Sequence, residues 1–266
     1  MIKKLNISLL CFLTLLNASG VYYNSIEKEK QSTHESHDSL RMTGEFPIDS
    51  FVMVRTNILM VPSKCLKDDS KCTKEESHPL LAGNASSGVI VYSDETGSLI
   101  LTAEHSCNPK TSTPELEFIH VAYSLTTGVG VESIATIYAM NTEHDLCLLL
   151  SPVPIGLPMR YTSEQPILHK KIRAMATPLA LGGPRAVPVF EGRFFGNVNA
   201  GTSSYGIPSA PGSSGGPIFT EDLKIVGIIT AVAVGYKQFT LATTTKQTAD
   251  FLDKYIPLEG TTINPE

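Results

Sequence analysis

From Phe51 onward the chain is a succession of short apolar runs rich in β-branched and aromatic residues, separated by turn formers. The runs are Phe51–Thr56, Gly88–Tyr92, Ser98–Thr102, Phe118–Tyr123, Ile134–Tyr138, Leu146–Leu150, Ile172–Met175, Val187–Phe190, Ile225–Thr230 and Phe239–Ala242. Strands this numerous and short, with no helical patterns between them, predict an all-β antiparallel barrel or sandwich and argue against βαβ units. A cluster of Pro and Gly between Pro152 and Pro158 suits a crossover between two barrels. One helix is expected near the end. Thr244-Thr-Lys-Gln247 has capping-box spacing, Ala249, Leu252, Tyr255 and Ile256 recur at helical intervals, and Pro257 stops the run.

The first residues have a different texture. Lys3 and Lys4 precede an apolar run from Ile7 to Leu16, followed by Ala18-Ser19-Gly20. That layout predicts a secretory signal cleaved after Gly20. Leu10 before Cys11 disfavours a lipoprotein signal. Residues Tyr22 to Glu45 are polar and read as a linker or pro-segment. The expected organisation is therefore a signal at 1–20, a polar segment at 21–48, a domain at 49–257 and a tail at 258–266.

Composition narrows the classes. With 42% hydrophobic residues the 266-residue chain can bury a real core, and 20 Gly, 17 Pro and no Trp suit a turn-rich β fold. No segment reaches the run of about 18 apolar residues that a membrane-spanning helix needs, so an integral membrane protein is not expected. Net charge is −5 with scattered basic residues, which argues against nucleic acid as a partner. Cys65, Cys72, Cys107 and Cys147 remain after signal cleavage. Cys65 and Cys72 bracket a charged hexapeptide and are expected to close a local disulfide in an oxidising compartment. Spacing leaves the pairing of Cys107 and Cys147 open. No CxxC pair or His doublet supports a zinc site, and no cofactor is expected.

Chemistry concentrates in three places. Pro211-Gly-Ser-Ser-Gly-Gly-Pro217 lies between strands, with Ser214 at its centre and glycines that let a substrate approach the backbone. Ser98-Leu-Ile-Leu-Thr-Ala-Glu-His105 ends an apolar strand on a histidine, and Glu143-His-Asp145 opens another with a carboxylate. A serine hydroxyl becomes a nucleophile when an imidazole takes its proton, and a carboxylate fixes the imidazole tautomer and stabilises its charged form.

In these stretches the chain resembles the chymotrypsin-like (trypsin-fold) serine peptidases, with the motif style of the HtrA-type branch. Leu101-Thr-Ala-Glu-His-Ser-Cys107, Asp145-Leu-Cys-Leu-Leu and Gly212-Ser-Ser-Gly-Gly-Pro217 carry the resemblance over residues 50 to 257, in the family's order His, Asp, Ser. It implies two six-stranded antiparallel β-barrels with a C-terminal α-helix. It also implies His105 as general base and acid, Asp145 as its orienting carboxylate, Ser214 as nucleophile, and the backbone N–H groups of Gly212 and Ser214 as oxyanion hole. The implied activity is that of an exported, secreted or periplasmic serine endopeptidase acting on protein or peptide substrates. The competing reading is a trypsin-fold binding or structural module whose base Glu104 impairs. With nine residues after Pro257, no PDZ module is expected.

Four departures from the family pattern matter. Glu104 replaces a small residue before the histidine and is expected to face solvent. Cys107 is displaced one place from the usual cysteine, and Ser86-Ser-Gly offers no family partner for it. Ser213 stands where zymogen-type members carry the aspartate that binds a new N-terminus, so 21–48 is not expected to be an activation peptide of that kind. The implied specificity pocket, with Pro208, Ser209, Thr230, Ala231 and Val232, is uncharged, and Val232 stands where an open pocket has glycine; a small or medium apolar side chain is expected there. Of the remaining candidates, His34 and His37 read as solvated, His144 as a surface residue, and Asn84-Ala-Ser86 as a turn before the next strand.

Overall fold

Side chains alternate along a strand, and in this chain both faces of the central strands are apolar, so each strand must be covered on two sides. The computed structural model describes residues 46–67, 79–109, 115–233, 236–257 and 263. The expected signal, most of the polar segment, His34, His37 and Cys72 lie outside these residues.

The first half forms β1 (Phe51–Pro62), α1 (Ser63–Lys67), β2 (Leu80–Asp94), β3 (Gly97–Thr102), α2 (Glu104–Cys107), β4 (Leu116–Thr127), β5 (Glu132–Asn141) and β6 (Leu146–Ser151). Its strands close into an antiparallel barrel of order β1-β2-β3-β6-β5-β4, sealed by pairing of β1 with β4. After the Pro152–Pro158 crossover come β7 (Arg160–Tyr161), β8 (Lys171–Met175), a single 3-10 turn at Pro178–Ala180, β9 (Val189–Asn199), β10 (Thr202–Tyr205), β11 (Pro217–Phe219), β12 (Lys224–Ala233), β13 (Tyr236–Ala242) and α3 (Thr245–Tyr255). Strands β11-β8-β9-β10-β13-β12 form the second six-stranded ring, closed by pairing of β11 with β12, and β7 adds parallel to the outside of β12.

Period-two alternation sorts the core into three clusters. Val52, Val54, Ile90, Ile100, Cys147 and Leu149 point into the first barrel. Ile172, Ala174, Phe194, Tyr205, Ile218, Val226 and Ile229 fill the second. The other faces of the first-barrel strands, at Phe51, Met53, Val89, Leu99, Leu101, Leu146 and Leu148, meet Met175, Phe219, Ile225 and Ile228 of the second barrel and Phe251 and Leu252 of α3 in one seam. Burying each Leu, Ile or Phe stabilises by about 1.5–3 kcal/mol. That explains why Leu146-Cys-Leu-Leu-Leu150 reads as an unbroken apolar run.

The two-barrel expectation agrees with the structure, and the differences are local. Asn84 is not in a turn but inside β2, opposite Thr56, because the strand begins at Leu80. Strands β7, β10 and β11 are outside the expected runs; they are two to four residues long, too short to show a period. Packing also extends beyond the expected limits of the domain. The Arg173 guanidinium lies 4.9 Å from the Phe46 ring centroid, and Ile263 is buried in the seam.

The terminal helix begins as its sequence requires. Thr244 Oγ1 accepts a hydrogen bond from the Gln247 N–H, and Gln247 Oε1 accepts one from the Thr244 N–H. Replacing the cap, Thr244→Ala, is expected to cost about 1 kcal/mol, read as a lower urea midpoint with unchanged slope; an unchanged midpoint would show that the seam alone holds the helix.

Candidate active site

Strand β3 carries the chain to the end of the first barrel, where Ala103 leads into the single turn of α2. This places His105 at the barrel rim with a half-exposed side chain. Asp145 closes the turn before β6 in the left-handed backbone region, at φ 54°, an uncommon state for a residue with a side chain. From there its carboxylate meets His105 three times. Oδ1 accepts from the His105 backbone N–H at 2.9 Å, and the ring Nδ1 lies 3.0 Å from Oδ1 and 2.8 Å from Oδ2. The imidazole is thereby held with Nδ1–H toward the carboxylate, leaving Nε2 as the free basic nitrogen. The Asp145 hydrogen bond raises the His105 pKa above the ordinary histidine value, burial opposes this, and the charges of Asp145 and Glu104 add to the rise.

Glu104 does not face solvent. It is 4% exposed, and its Oε1 accepts from Asn108 Nδ2 at 2.8 Å and Thr142 Oγ1 at 3.3 Å. The one-turn helix turns it inward, where two donors offset the desolvation of the carboxylate. His144 is half-buried, not simply a surface group: its Nδ1 accepts from Gln247 Nε2 at 3.2 Å, tying the Asp145 turn to the start of α3.

Ser214 belongs to the second barrel, in the loop before β11. Gly212 and Gly215 adopt φ +95° and +83°, which glycine reaches without the Cβ penalty. A side chain at Gly215 would lie 2.1 Å from both Ser87 O and Thr102 Oγ1 and 3.0 Å from Ala103 N. The loop is thus pressed against the segment that leads into His105. Ser214 Oγ and His105 are not hydrogen-bonded to each other, a contact that in such sites is often long until substrate closes it. Ser213 is buried, its N–H donates to Ala210 O and its Oγ accepts from Ala210 N, so this position closes a local turn with no charge to pair. Among the described residues, the Gly212 and Ser214 N–H groups donate to no protein acceptor.

Beside Ser214 opens a cavity of about 270 Å³ lined by Ser209, Ala210, Pro211, Ser214, Ile229, Ala231 and Val232. Of the expected lining residues, Ser209, Ala231 and Val232 are there and Pro208 and Thr230 are not. Thr230 lies where the β12–β13 register shifts, and its hydroxyl donates to Leu241 O; Ile229 is an additional wall. The Thr240 hydroxyl proton goes to Ile207 O at 2.7 Å, and Ser209 Oγ donates to Thr240 Oγ1 at 2.9 Å. An open groove of about 420 Å³ lies on the first barrel beyond Cys107, and its tyrosine, Tyr123, donates its hydroxyl to Cys107 O. No group of three or more His, Cys, Asp or Glu among the described residues could hold a metal ion.

Cys107 and Cys147 form a disulfide with Cα atoms 6.5 Å apart. Each sits two residues after a member of the His105–Asp145 pair, so the bridge ties together the two backbone segments that carry it. Cys65 is also disulfide-bonded.

The family model described as trypsin-like peptidase domain matches residues 86–228, more than half of the chain. The chain belongs to the trypsin-like peptidases. No curated protein sequence matches it. Solved structures share the fold at low identity. The Rv3671c protease from M. tuberculosis in its active form aligns with a TM-score of 0.56 and 13% identity over 82% of this chain and 86% of that one. Its inactive form aligns with a TM-score of 0.54 and 14% identity over 79% and 91%. The serine endoprotease from Yersinia pestis aligns with a TM-score of 0.57 and 17% identity over 78% of this chain, which spans 63% of that longer protein.

In this trypsin-like peptidase the bridge joins the one-turn helix that carries His105 to the strand after Asp145. The double variant Cys107→Ala/Cys147→Ala is expected to lose about 2–4 kcal/mol of stability, measured by chemical denaturation. The gap from wild type should close in dithiothreitol; a gap that persists in reductant would mean that the loss comes from packing and not from the cross-link.

Proposed function

We propose that the chain is an exported serine endopeptidase in which His105, Asp145 and Ser214 act together. The observation that carries this reading is the two-point contact of the Asp145 carboxylate with His105 Nδ1, which leaves Nε2 free to act as a base. In the reaction Ser214 Oγ attacks the scissile carbonyl carbon while its proton passes to His105 Nε2. The resulting oxyanion is received by the Gly212 and Ser214 N–H groups, and the carbon–nitrogen bond then breaks as His105 returns the proton to the leaving amine. Water, deprotonated by His105, releases the acyl group from Ser214. Asp145 holds the ring and offsets its charge while it is protonated. No metal or cofactor enters any step.

The cavity beside Ser214 receives the side chain on the acyl side of the cleaved bond. Its walls are Ile229, Ala231 and Val232, and no charged residue lines it, which favours a small or medium apolar side chain. Export is supported by the signal-like first 20 residues and by disulfides at Cys107, Cys147 and Cys65, which persist in oxidising compartments. Among the described residues no helix is long and apolar enough to cross a membrane.

A fluorophosphonate probe should label the wild type and not Ser214→Ala, and a peptide library should be cut after Ala, Val or similar residues only by the labelled protein. Folded wild type that takes no label, or Ser214-independent cleavage, would overturn the mechanism; efficient cleavage after Arg or Lys would overturn the specificity.

The pH dependence follows from the raised His105 pKa. The base must be neutral, so kcat/KM should rise with pH through a midpoint above about 6.5, the free histidine value. Asp145→Asn should move that midpoint down and lower kcat by about 10³- to 10⁴-fold. For stability the sign is opposite. The His105–Asp145 pair stabilises the fold fully below the free histidine pKa, and that contribution is lost as pH rises through the raised value. A pH profile unmoved by Asp145→Asn would count against the pairing as the cause.

A further inference from the structure

Ser87 lies in β2 of the first barrel, opposite Met53 of β1, and is wholly buried. It touches the nucleophile loop of the other barrel twice. Its backbone N–H donates to Ser214 O at 2.8 Å, and its hydroxyl lies 2.9 Å from Gly212 O. The hydroxyl has further neighbours in Thr177, whose N–H is at 3.0 Å and whose Oγ1 is at 3.3 Å. A serine hydroxyl has one proton and two lone pairs. Gly212 O can only accept and Thr177 N–H can only donate, so the proton goes to Gly212 O, and both lone pairs take the Thr177 donors. The hydroxyl is saturated, and its direction is set by its partners.

The consequence appears when the four peptide groups around the nucleophile are followed in turn. Pro211 O accepts from Leu179 N at 2.6 Å. Because the carbonyl and N–H of one trans peptide point in opposite directions, this turns the Gly212 N–H away from the Leu179 side. In the next peptide, Gly212 O takes the Ser87 hydroxyl proton and Ser213 N–H goes to Ala210 O at 2.9 Å. Ser213 O then accepts from Gly216 N at 3.0 Å, which orients the Ser214 N–H. Finally Ser214 O takes the Ser87 N–H while Gly215 N–H goes to Ile229 O, each at 2.8 Å. Every peptide from Pro211 to Gly215 is pinned, and the two N–H groups left over are those of Gly212 and Ser214. Of all the pinning groups, the Ser87 hydroxyl alone belongs to a side chain.

We propose that Ser87 is a positioning residue for catalysis, its buried hydroxyl holding the Gly212 carbonyl so that the Gly212 and Ser214 N–H groups stay aimed at the oxyanion. This rests on the reading of those two groups as the oxyanion hole. Gly212, at φ +95°, has no side chain to resist rotation of its peptides. Without the hydroxyl, its carbonyl keeps no donor, and the peptide is held on one side only. The effect should therefore fall on the transition state, where the oxyanion exists, and not on substrate binding.

The test compares Ser87→Ala with Thr248→Val, which removes a buried hydroxyl in α3 that bonds Thr243 Oγ1 and Thr244 O and no residue of the loop. Ser87→Ala should lower kcat at least tenfold with KM within about twofold, since losing an oxyanion donor outright costs about 10²–10³. Its affinity for a peptide boronate, which forms the tetrahedral adduct on serine, should fall by a similar factor. The acid-limb midpoint of the pH profile should not move. Thr248→Val should keep wild-type kcat whatever its melting temperature. Ser87→Cys, with a weaker donor at the same position, should fall between Ser and Ala, and it carries the test if Ser87→Ala does not fold. A folded Ser87→Ala or Ser87→Cys with wild-type kcat, or a loss confined to KM, would overturn the proposal. Hydrolysis independent of Ser214 in the wild type would instead overturn the catalytic reading beneath it.

Discussion

The seam between the two barrels is the constraint on which the rest depends. Leu99, Leu101, Leu146 and Leu148 from one barrel, Met175, Phe219, Ile225 and Ile228 from the other, and Phe251 and Leu252 from α3 are buried in one apolar cluster. His105 and Asp145 end or begin strands on one side of it, and Ser214 leads into a strand on the other. Burial at about 1.5–3 kcal/mol per side chain outweighs the net of about 1 kcal/mol for each hydrogen bond across the boundary. The apolar contact therefore holds the barrels together. Being non-directional, it cannot set the angle of a peptide group. That task falls to the few polar contacts at Ser87, Thr102 and Thr177.

The Ser214 loop shows how a backbone can be held in an uncommon shape by its surroundings. At positive φ, Gly215 keeps the loop from clashing with Ser87 and Thr102 and Gly212 keeps it from clashing with Thr177 O, and carbonyls on both sides of Ser214 are tied to the opposite barrel. Two N–H groups, on the partly exposed Gly212 and Ser214, remain without protein partners among the described residues. An uncommon backbone conformation is tolerated where the surrounding structure over-determines it. Asp145, at φ 54°, is a second instance. Its backbone is held there by the turn, by the contacts to His105 and by the neighbouring Cys107–Cys147 bridge.

Legibility in the sequence followed interaction range. The ten apolar runs are visible because burial on both faces demands consecutive apolar residues, and the start of α3 is visible because a capping box is local. The motifs around His105, Asp145 and Ser214 are visible as short patterns, since a strand end or a glycine loop must present each side chain. Strands β7, β10 and β11 are not, because they are too short to show a period and exist through their partners. Glu104 turns inward because Asn108 and Thr142 are waiting for it, and Thr142 is 38 residues away. The wall of the cavity at Ile229 is set by the register of β12 against β13.

Taken alone, the sequence determined an antiparallel β architecture, the order of its chemical residues and the glycine positions around Ser214, since each is written in local pattern and backbone propensity, while the two-barrel arrangement was implied by the family resemblance of its motifs. The tertiary structure alone decided the rest. It paired Cys107 with Cys147, brought the Asp145 carboxylate to Nδ1 of His105, and laid Ser87 across the seam on the carbonyls of Gly212 and Ser214. Those contacts join residues 40 to 127 positions apart. Their geometry comes from how strands twist, close and pack, which no neighbouring residue encodes.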